Sequence, residues 1–121
     1  MFKIENLNSL LLNQLASEII VLDEDLDILW LNDSAASSGW IVLTDKKNPI
    51  KEQFLEKTSN ELAKLLGECI SSKNSITKRD FELEKSNESR RIVDLTVSSS
   101  HSDNILILEI LKSNYRVSES P

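Results

Sequence analysis

The stretch DILWLNDSAAS, residues 27–37, decides the fold of this chain. Ile28–Leu31 is a short apolar run of the kind found in β-strands, and the residues after it are small and compatible with a helix. Asparagine and aspartate disfavour strands and are preferred helix N-caps, because their side chains accept hydrogen bonds from the first backbone N–H groups. The stretch therefore predicts a strand that ends at Asn32 and a short helix, capped by Asn32 or Asp33, that ends near Gly39.

The segment before this stretch shows one helical and one strand pattern. Leucines recur at every fourth position in residues 1–17, which predicts an amphipathic N-terminal helix. Ile19–Leu22 is a second apolar run, separated from Ile28–Leu31 by the acidic turn DEDLD. Two such runs around a polar turn predict a β-hairpin.

The second half of the chain contains one long helix and three strands. Pro49 opens a short helical turn, and a longer helix starts at a Thr58 or Ser59 cap and runs to about Ser72. The segments TKRDFELEK, RRIVDLTVSSS and NILILEIL follow as strands. In the second of these segments, apolar and mixed residues alternate along the strand. The alternation places Val93, Leu95 and Val97 on one face of the strand, and Ile92, Asp94 and Thr96 on the other. The third is apolar at nearly every position, which is typical of a central strand covered on both faces.

This order of elements predicts an α+β domain with a single five-stranded antiparallel sheet. We expect the domain to occupy residues 18–112, preceded by the N-terminal helix over 1–17. Residues 113–121 are polar and are interpreted as the start of a linker to a downstream output domain.

Composition excludes several classes of function. With 121 residues the chain fits one domain with one hydrophobic core. The formal net charge of −6 argues against binding to nucleic acid or to an anionic membrane surface. The single cysteine excludes an internal disulfide, and no apolar stretch approaches the roughly 20 residues that span a bilayer. Because the N-terminus also lacks a secretory signal pattern, we expect a cytoplasmic protein.

Several of these segments together resemble a PAS domain, over nearly all of residues 8–112. ILWLNDSAA is similar to the second strand of that family and to the Asn-x-x-Ala start of its first short helix. The segment RDFELEKSNESRRIVDLTVSSSHSDNILILEI is similar to the last three strands of the PAS domain in nitrogen-regulation sensor histidine kinases. YRVSES resembles the Arg-x-Ser-x-Glu entry to the linker in these kinases. One departure is SSGW, which stands where the family continues its first helix with leucines.

The resemblance implies a PAS fold, with short helices and one longer helix on one face of the sheet. It implies a regulatory sensor and dimerisation domain of a cytoplasmic two-component sensor histidine kinase, which passes a signal to downstream kinase helices by a conformational shift. Its partners would then be a second copy of the chain, the kinase domains and, through them, a response regulator, with neither nucleic acid nor membrane. The alternatives are a small-ligand PAS module of another signalling protein and a stand-alone adaptor.

The chain itself is not expected to be an enzyme. It lacks a His-Glu-x-x-Asn phosphoacceptor segment and glycine-rich ATP-binding boxes, so kinase activity would reside elsewhere in the parent protein. The run Ser98–Ser100 with His101 and Asp103 suggests a hydrolase triad, but neighbours in one turn do not adopt the nucleophile–base–orienter geometry. No catalytic residue is predicted.

A PAS pocket would lie between the sheet and the helix ELAKLLGECI, where few polar residues are available. We expect a filled core there, with a small apolar ligand as the alternative. The predicted pocket or core residues are Trp30, Asn32, Leu66, Cys69 and Leu95. The predicted dimer interface on the N-terminal helix is formed by Leu7, Leu11, Leu12 and Leu15.

No cofactor or metal is expected. Cys69 lacks the Gly-x-Asn-Cys-Arg setting of a flavin photosensor, and the only histidine, His101, falls in a turn rather than on the long helix. The acidic turn around Asp25 lacks the spacing of a calcium loop. Trp30 is predicted to pack in the core, and Trp40 is predicted to cover it partly.

Overall fold

The computed structural model describes residues 11–86, 88–100 and 104–112. Residues 11–13 are helical, and the chain then turns into the first strand. The further elements of these residues are β1 (Glu18–Asp23), β2 (Ile28–Leu31), α1 (Asp33–Ser37), a 3-10 turn (Ile50–Glu52), α2 (Glu56–Ser72), β3 (Ile76–Ser86), β4 (Ser89–Ser100) and β5 (Ile105–Lys112).

The five strands form one antiparallel sheet in the order β2-β1-β5-β4-β3. The apolar strand β5 therefore lies at the centre, as its composition predicts. The α+β class and the five-stranded antiparallel sheet are both confirmed. Within the described residues, no helix has the length and apolar character needed to cross a membrane.

The core lies between α2 and one face of the sheet, which we call the inner face. On β4 the predicted alternation is confirmed, because Val93, Leu95 and Val97 are buried in this core while the residues between them are more exposed. The buried residues that α2 contributes to it are Leu62, Leu66 and Cys69. The strands β1 and β5 contribute Ile20, Leu22, Leu106, Leu108 and Ile110.

The helix α2 starts earlier than predicted. Its N-cap is Leu55, so Thr58 and Ser59 lie inside the first turn and the predicted cap is wrong. Both hydroxyls bind other elements instead. Thr58 Oγ1 accepts a hydrogen bond from the Glu84 N–H at 3.1 Å, and Ser59 Oγ donates to the Lys51 carbonyl oxygen at 2.7 Å. The prediction failed because tertiary partners recruited two side chains whose type favours a cap.

Trp30 does not lie in the core, so the prediction for this residue is wrong. It is half-buried, and it is neither a core residue nor one of the partly buried side chains that pack against the core. The register of β1 with β2 shifts between Val21 and Leu22, which places Trp30 opposite Val21 and Ile28 opposite Leu22. This bulge, at Leu29, reverses the alternation of faces. Trp30 therefore lies with Val21 on the outer face, away from α2.

Candidate functional site

Four of the predicted pocket or core residues are completely buried. Asn32, Leu66, Cys69 and Leu95 each have a relative exposure of 0%. Leu66, Cys69 and Leu95 are members of the hydrophobic core. The thiol of Cys69 donates a long hydrogen bond of 3.7 Å to the Val97 carbonyl oxygen, so this cysteine packs as a small apolar residue with its sulfur facing β4.

The side chain of Asn32 joins the N-terminal segment, β1 and α1. Its Oδ1 accepts hydrogen bonds from the N–H groups of Ile19 and Ala35, at 2.9 and 3.0 Å. Its Nδ2 donates to the carbonyl oxygens of Leu12 and Ser17, both at 3.0 Å. Two acceptor and two donor positions are thus satisfied, as a buried amide requires. The amide therefore ends β2, caps α1 and fixes the chain that enters the sheet.

A second polar centre joins β1 to β4. Arg91 and Glu18 form a two-pronged ion pair in which both N–O distances are 2.7 Å. The two side chains are 26% and 14% exposed, so most of this pair is removed from water. Paired, parallel N–H···O bonds of this kind fix orientation as well as distance. The two residues are 73 positions apart in the sequence, so the pair closes a long loop of the chain.

Trp40 extends the ion pair toward the core. The Arg91 guanidinium lies 4.8 Å from the centre of the Trp40 ring, within the range of a cation–π contact. The Trp40 ring is 6.4 Å from the ring of Phe54, which is buried in the core. Lys85 Nζ holds the Trp40 carbonyl oxygen with a hydrogen bond of 2.7 Å. Glu18, Arg91 and Trp40 together are called the clamp below.

The clamp lies where β5 ends. Glu18 is opposite Ile110 on β5, and the last described residue of β5, Lys112, is opposite Val93 on β4. Because β5 lies between β1 and β4, an ion pair from Glu18 to Arg91 spans the end of β5. The same centre therefore contacts the start of β1, the end of β5 and the loop after α1.

Arg91 is a residue that the sequence reasoning missed. It has the same parity on β4 as Val93 and Leu95, so the alternation places a cation on the buried face of the strand. A charge on a buried face requires a partner, and this conflict was the available signal. The partner itself, Glu18, could not be identified from the sequence because nothing local links it to Arg91.

The acidic turn between β1 and β2 is an ordinary hairpin tip. Asp23 Oδ1 accepts the N–H groups of Asp25 and Asp27 at 2.9 and 3.0 Å, which closes the turn. Within the described part of the chain, no group of three or more histidine, cysteine, aspartate or glutamate side chains is arranged to hold a metal ion. His101 and Asp103 lie outside the described residues.

A surface groove of about 420 Å³ runs between α2 and β3. Leu65 and Phe81 contribute its apolar lining, and charged side chains of both signs surround them. These are Lys57, Glu61, Lys64, Glu68, Lys78, Asp80, Glu82 and Glu84. This lining is more polar than the small apolar pocket that the sequence left open as an alternative.

Solved structures settle the fold. No protein-family model matches the sequence, and no curated protein does either. The PAS domain of nitrogen regulation protein NR(II) from Vibrio parahaemolyticus is similar in structure, with a TM-score of 0.59 and 20% sequence identity. The similarity covers 89% of this chain and 99% of that domain. The chain has a PAS fold.

Two further solved structures, one of a PAS domain and one of a receptor, are similar to this chain. A PAS domain from a two-component sensor histidine kinase has a TM-score of 0.51 and 12% identity, over 85% of this chain and 88% of that one. An RNA-binding light-oxygen-voltage receptor has a TM-score of 0.57 and 15% identity. That match covers 81% of this chain but 28% of the receptor, so the similar part is one portion of a longer protein.

Proposed function

We propose that this chain is the regulatory sensor and dimerisation domain of a cytoplasmic two-component sensor histidine kinase of the nitrogen-regulation type. The observation that carries the proposal is the structural similarity to the NR(II) PAS domain, which spans 99% of that domain. The similarity to a second PAS domain, from a two-component sensor histidine kinase, supports the same class of parent protein. The downstream kinase domains and a response regulator would then be its partners.

In this proposal the domain performs no chemistry of its own and transmits a conformational shift. The packed core supports this, since Leu66, Cys69 and Leu95 are completely buried in the hydrophobic cluster between α2 and the sheet. The linker to the output domain would begin after Lys112, beside the clamp. A small displacement there would change how the linkers of two chains meet.

A homodimer around the N-terminal helix is part of the proposal. Leu11 and Leu15 are 54% and 43% exposed, which leaves two large apolar side chains close in sequence in contact with water. Leu11 is helical, whereas Leu15 follows residue 13, at which the helical segment ends, so the helix stops short of the predicted residue 17. Leu12 is half-buried and its carbonyl oxygen is held by Asn32, so the segment is anchored to the domain. Leu7 lies outside the described residues.

The outer face of the sheet supplies further apolar surface for such a contact. Apolar side chains of four strands lie on it, and Leu111 is 44% exposed. A second copy of the chain would cover this surface through the self-complementary contact of a two-fold dimer. The residues of this face that remain accessible are Trp30, Ile92, Ile105, Ile107 and Leu111, whereas Ile19 and Val21 are already buried in the single chain.

Light scattering of the purified chain at tens of micromolar tests the dimer. We expect a dimeric mass for the unmodified protein and a monomeric mass for the double variant Leu11→Asp with Leu15→Asp. The matched control is Val42→Asp with Leu43→Asp, which changes two exposed apolar residues, at 59% and 46%, elsewhere on the surface. This control should remain dimeric. A monomeric unmodified protein would refute the dimer, and a dimeric Leu11/Leu15 variant would exclude this interface.

A chimera tests the proposed output. The chain replaces the PAS domain of a two-component sensor histidine kinase, and autophosphorylation is measured with ATP. We expect the chimera to be phosphorylated and the chain alone to incorporate no phosphate. Rates that match those of the kinase with its PAS domain deleted would contradict a regulatory role.

The second candidate is a ligand-binding PAS module with a different output. The similarity to part of a light-oxygen-voltage receptor favours it, because the similar portion there belongs to a longer receptor. The two candidates differ in whether the core opens to admit a ligand. A small apolar ligand that co-purifies with the chain would favour this module.

A further inference from the structure

We propose that the clamp of Glu18, Arg91 and Trp40 is a switch that couples the loop after α1 to both ends of the domain. In the closed state, seen in the structure, the stack of Trp40 on Arg91 holds the ion pair that spans the end of β5. In the open state Arg91 leaves Glu18, and the start of β1 and the end of β5 become free to move. The inference rests on the proposed function for the meaning of the output, but the coupling is a property of the isolated chain.

The contacts of Arg91 allow a change at Trp40 to reach Glu18. One guanidinium group makes both prongs of the ion pair and also faces the Trp40 ring. The planar group is rigid, so a shift of the ring tilts the two N–H groups away from the carboxylate. Trp40 packs against the core, and Phe54 is its aromatic neighbour there. A rearrangement of the core near Phe54 therefore has a direct path to the first residue of β1.

The closed state is incompletely satisfied, which favours a two-state element. Arg91 Nε is buried and has no hydrogen-bond partner among the described residues. A buried donor without a partner loses its hydration and gains nothing in return. In addition, the cost of removing two charges from water offsets much of the attraction in a buried ion pair. Opening the clamp would return these groups to water, which lowers the free-energy cost of the open state.

The neighbouring ion pair provides a matched control. Arg90 contacts Glu82 through one N–O distance of 3.3 Å, and these side chains are 64% and 42% exposed. The two arginines are adjacent on β4, and replacement of either by glutamine removes one positive charge. Only Arg91 contacts Trp40 and spans the end of β5.

Backbone amide hydrogen exchange of the intact chain, measured by NMR, tests the coupling. For Arg91→Gln we expect exchange at Ile19, Ile110 and Leu111 to accelerate about tenfold, because local opening becomes more frequent. We expect less than about a twofold change for Arg90→Gln. The decisive variant is Trp40→Leu, which keeps both charged partners, Glu18 and Arg91, but removes the ring that faces Arg91. It should accelerate the same three amides.

Two readings would overturn the switch. One is unchanged exchange at Ile110 and Leu111 in Trp40→Leu, which would show that the ion pair acts without the loop. The other is equal acceleration at these amides and at core amides of α2 such as Leu66, which would show general destabilisation. In the kinase chimera, Arg91→Gln should alter the autophosphorylation rate while Arg90→Gln should not. Failure of the unmodified chimera would refute the proposed output and leave the exchange result standing.

Discussion

Asn32 Nδ2 donates a hydrogen bond of 3.0 Å to the carbonyl oxygen of Leu12, twenty residues earlier in the chain. The amide that ends β2 thus also holds the last helical turn before the sheet. The same amide accepts the N–H of Ile19 at the start of β1. One fully buried side chain therefore helps to orient the N-terminal segment, on which the proposed dimer depends, together with the bonds from the Asp33 N–H to Asn13 Oδ1 and from Ser34 Oγ to the Leu15 carbonyl oxygen.

Replacement of Asn32 by alanine should lower the free energy of unfolding by about 3 kcal/mol, because it removes a helix cap and leaves several buried backbone groups unpaired. Urea denaturation followed by circular dichroism measures this change. The control is Asn74→Ala, at an exposed position after α2, where we expect a change within about 0.5 kcal/mol. Equal losses in the two variants would show that the Asn32 network contributes nothing specific.

Thr58→Val should reduce the free energy of unfolding by about 1.5 kcal/mol, since the hydroxyl joins the start of α2 to β3. Its Oγ1 accepts the Glu84 N–H and also donates to the Glu82 carbonyl oxygen at 3.4 Å. Valine has the same shape, so the loss reports the hydrogen bonds rather than packing. Thr77→Val, at an exposed residue of β3, is the control with an expected change below about 0.5 kcal/mol. A Thr58→Val protein as stable as this control would disprove the role of the hydroxyl.

The two glycines should respond to alanine in opposite directions. Gly67 lies inside α2, and a methyl group added there meets nothing within 4 Å. We expect Gly67→Ala to raise the free energy of unfolding by about 1 kcal/mol through helix propensity. Gly39 has a φ of +76°, which alanine adopts only with strain, so Gly39→Ala should lower it by about 1 kcal/mol. Thermal unfolding of both variants measures the two changes in stability. Shifts of the unfolding temperature in the same direction would contradict this account.

Freshly purified protein should carry no haem or flavin. The only cysteine, Cys69, is fully buried with its thiol on the Val97 carbonyl oxygen, and it lacks the Gly-x-Asn-Cys-Arg setting of a flavin photosensor. Absorbance between 350 and 450 nm tests this, with the denatured protein examined for released flavin. A Soret band or a stoichiometric flavin spectrum would overturn the prediction and favour the ligand-binding module.

Local patterns predicted the elements well where a single segment decides the outcome. Asn32 caps α1 and Pro49 precedes the 3-10 turn, both as predicted, and α2 ends at Ser72. The parity of Val93, Leu95 and Val97 identified the inner face of β4. These features depend on neighbours in sequence, so the sequence contains all the information needed to predict them.

The candidate site was predicted less completely. Asn32, Leu66, Cys69 and Leu95 are buried where a PAS core was expected, whereas Trp30 is not. One skipped residue, Leu29, is enough to exchange the faces of β2, and a bulge is set by the pairing of β2 with β1 rather than by the run itself.

The sequence by itself determined which segments become strands and helices, because periodicity and capping act over a few residues. Only the tertiary structure decided which polar side chains meet. Instead of capping α2, the Thr58 hydroxyl accepts a hydrogen bond from β3, and the Ser59 hydroxyl donates to the backbone carbonyl oxygens of Lys51 and Phe54. Glu18 and Arg91 are brought together across 73 positions by the order of the strands. The physical reason is that a buried polar group must find a partner wherever the folded chain supplies one, and that place is fixed by topology rather than by neighbouring residues.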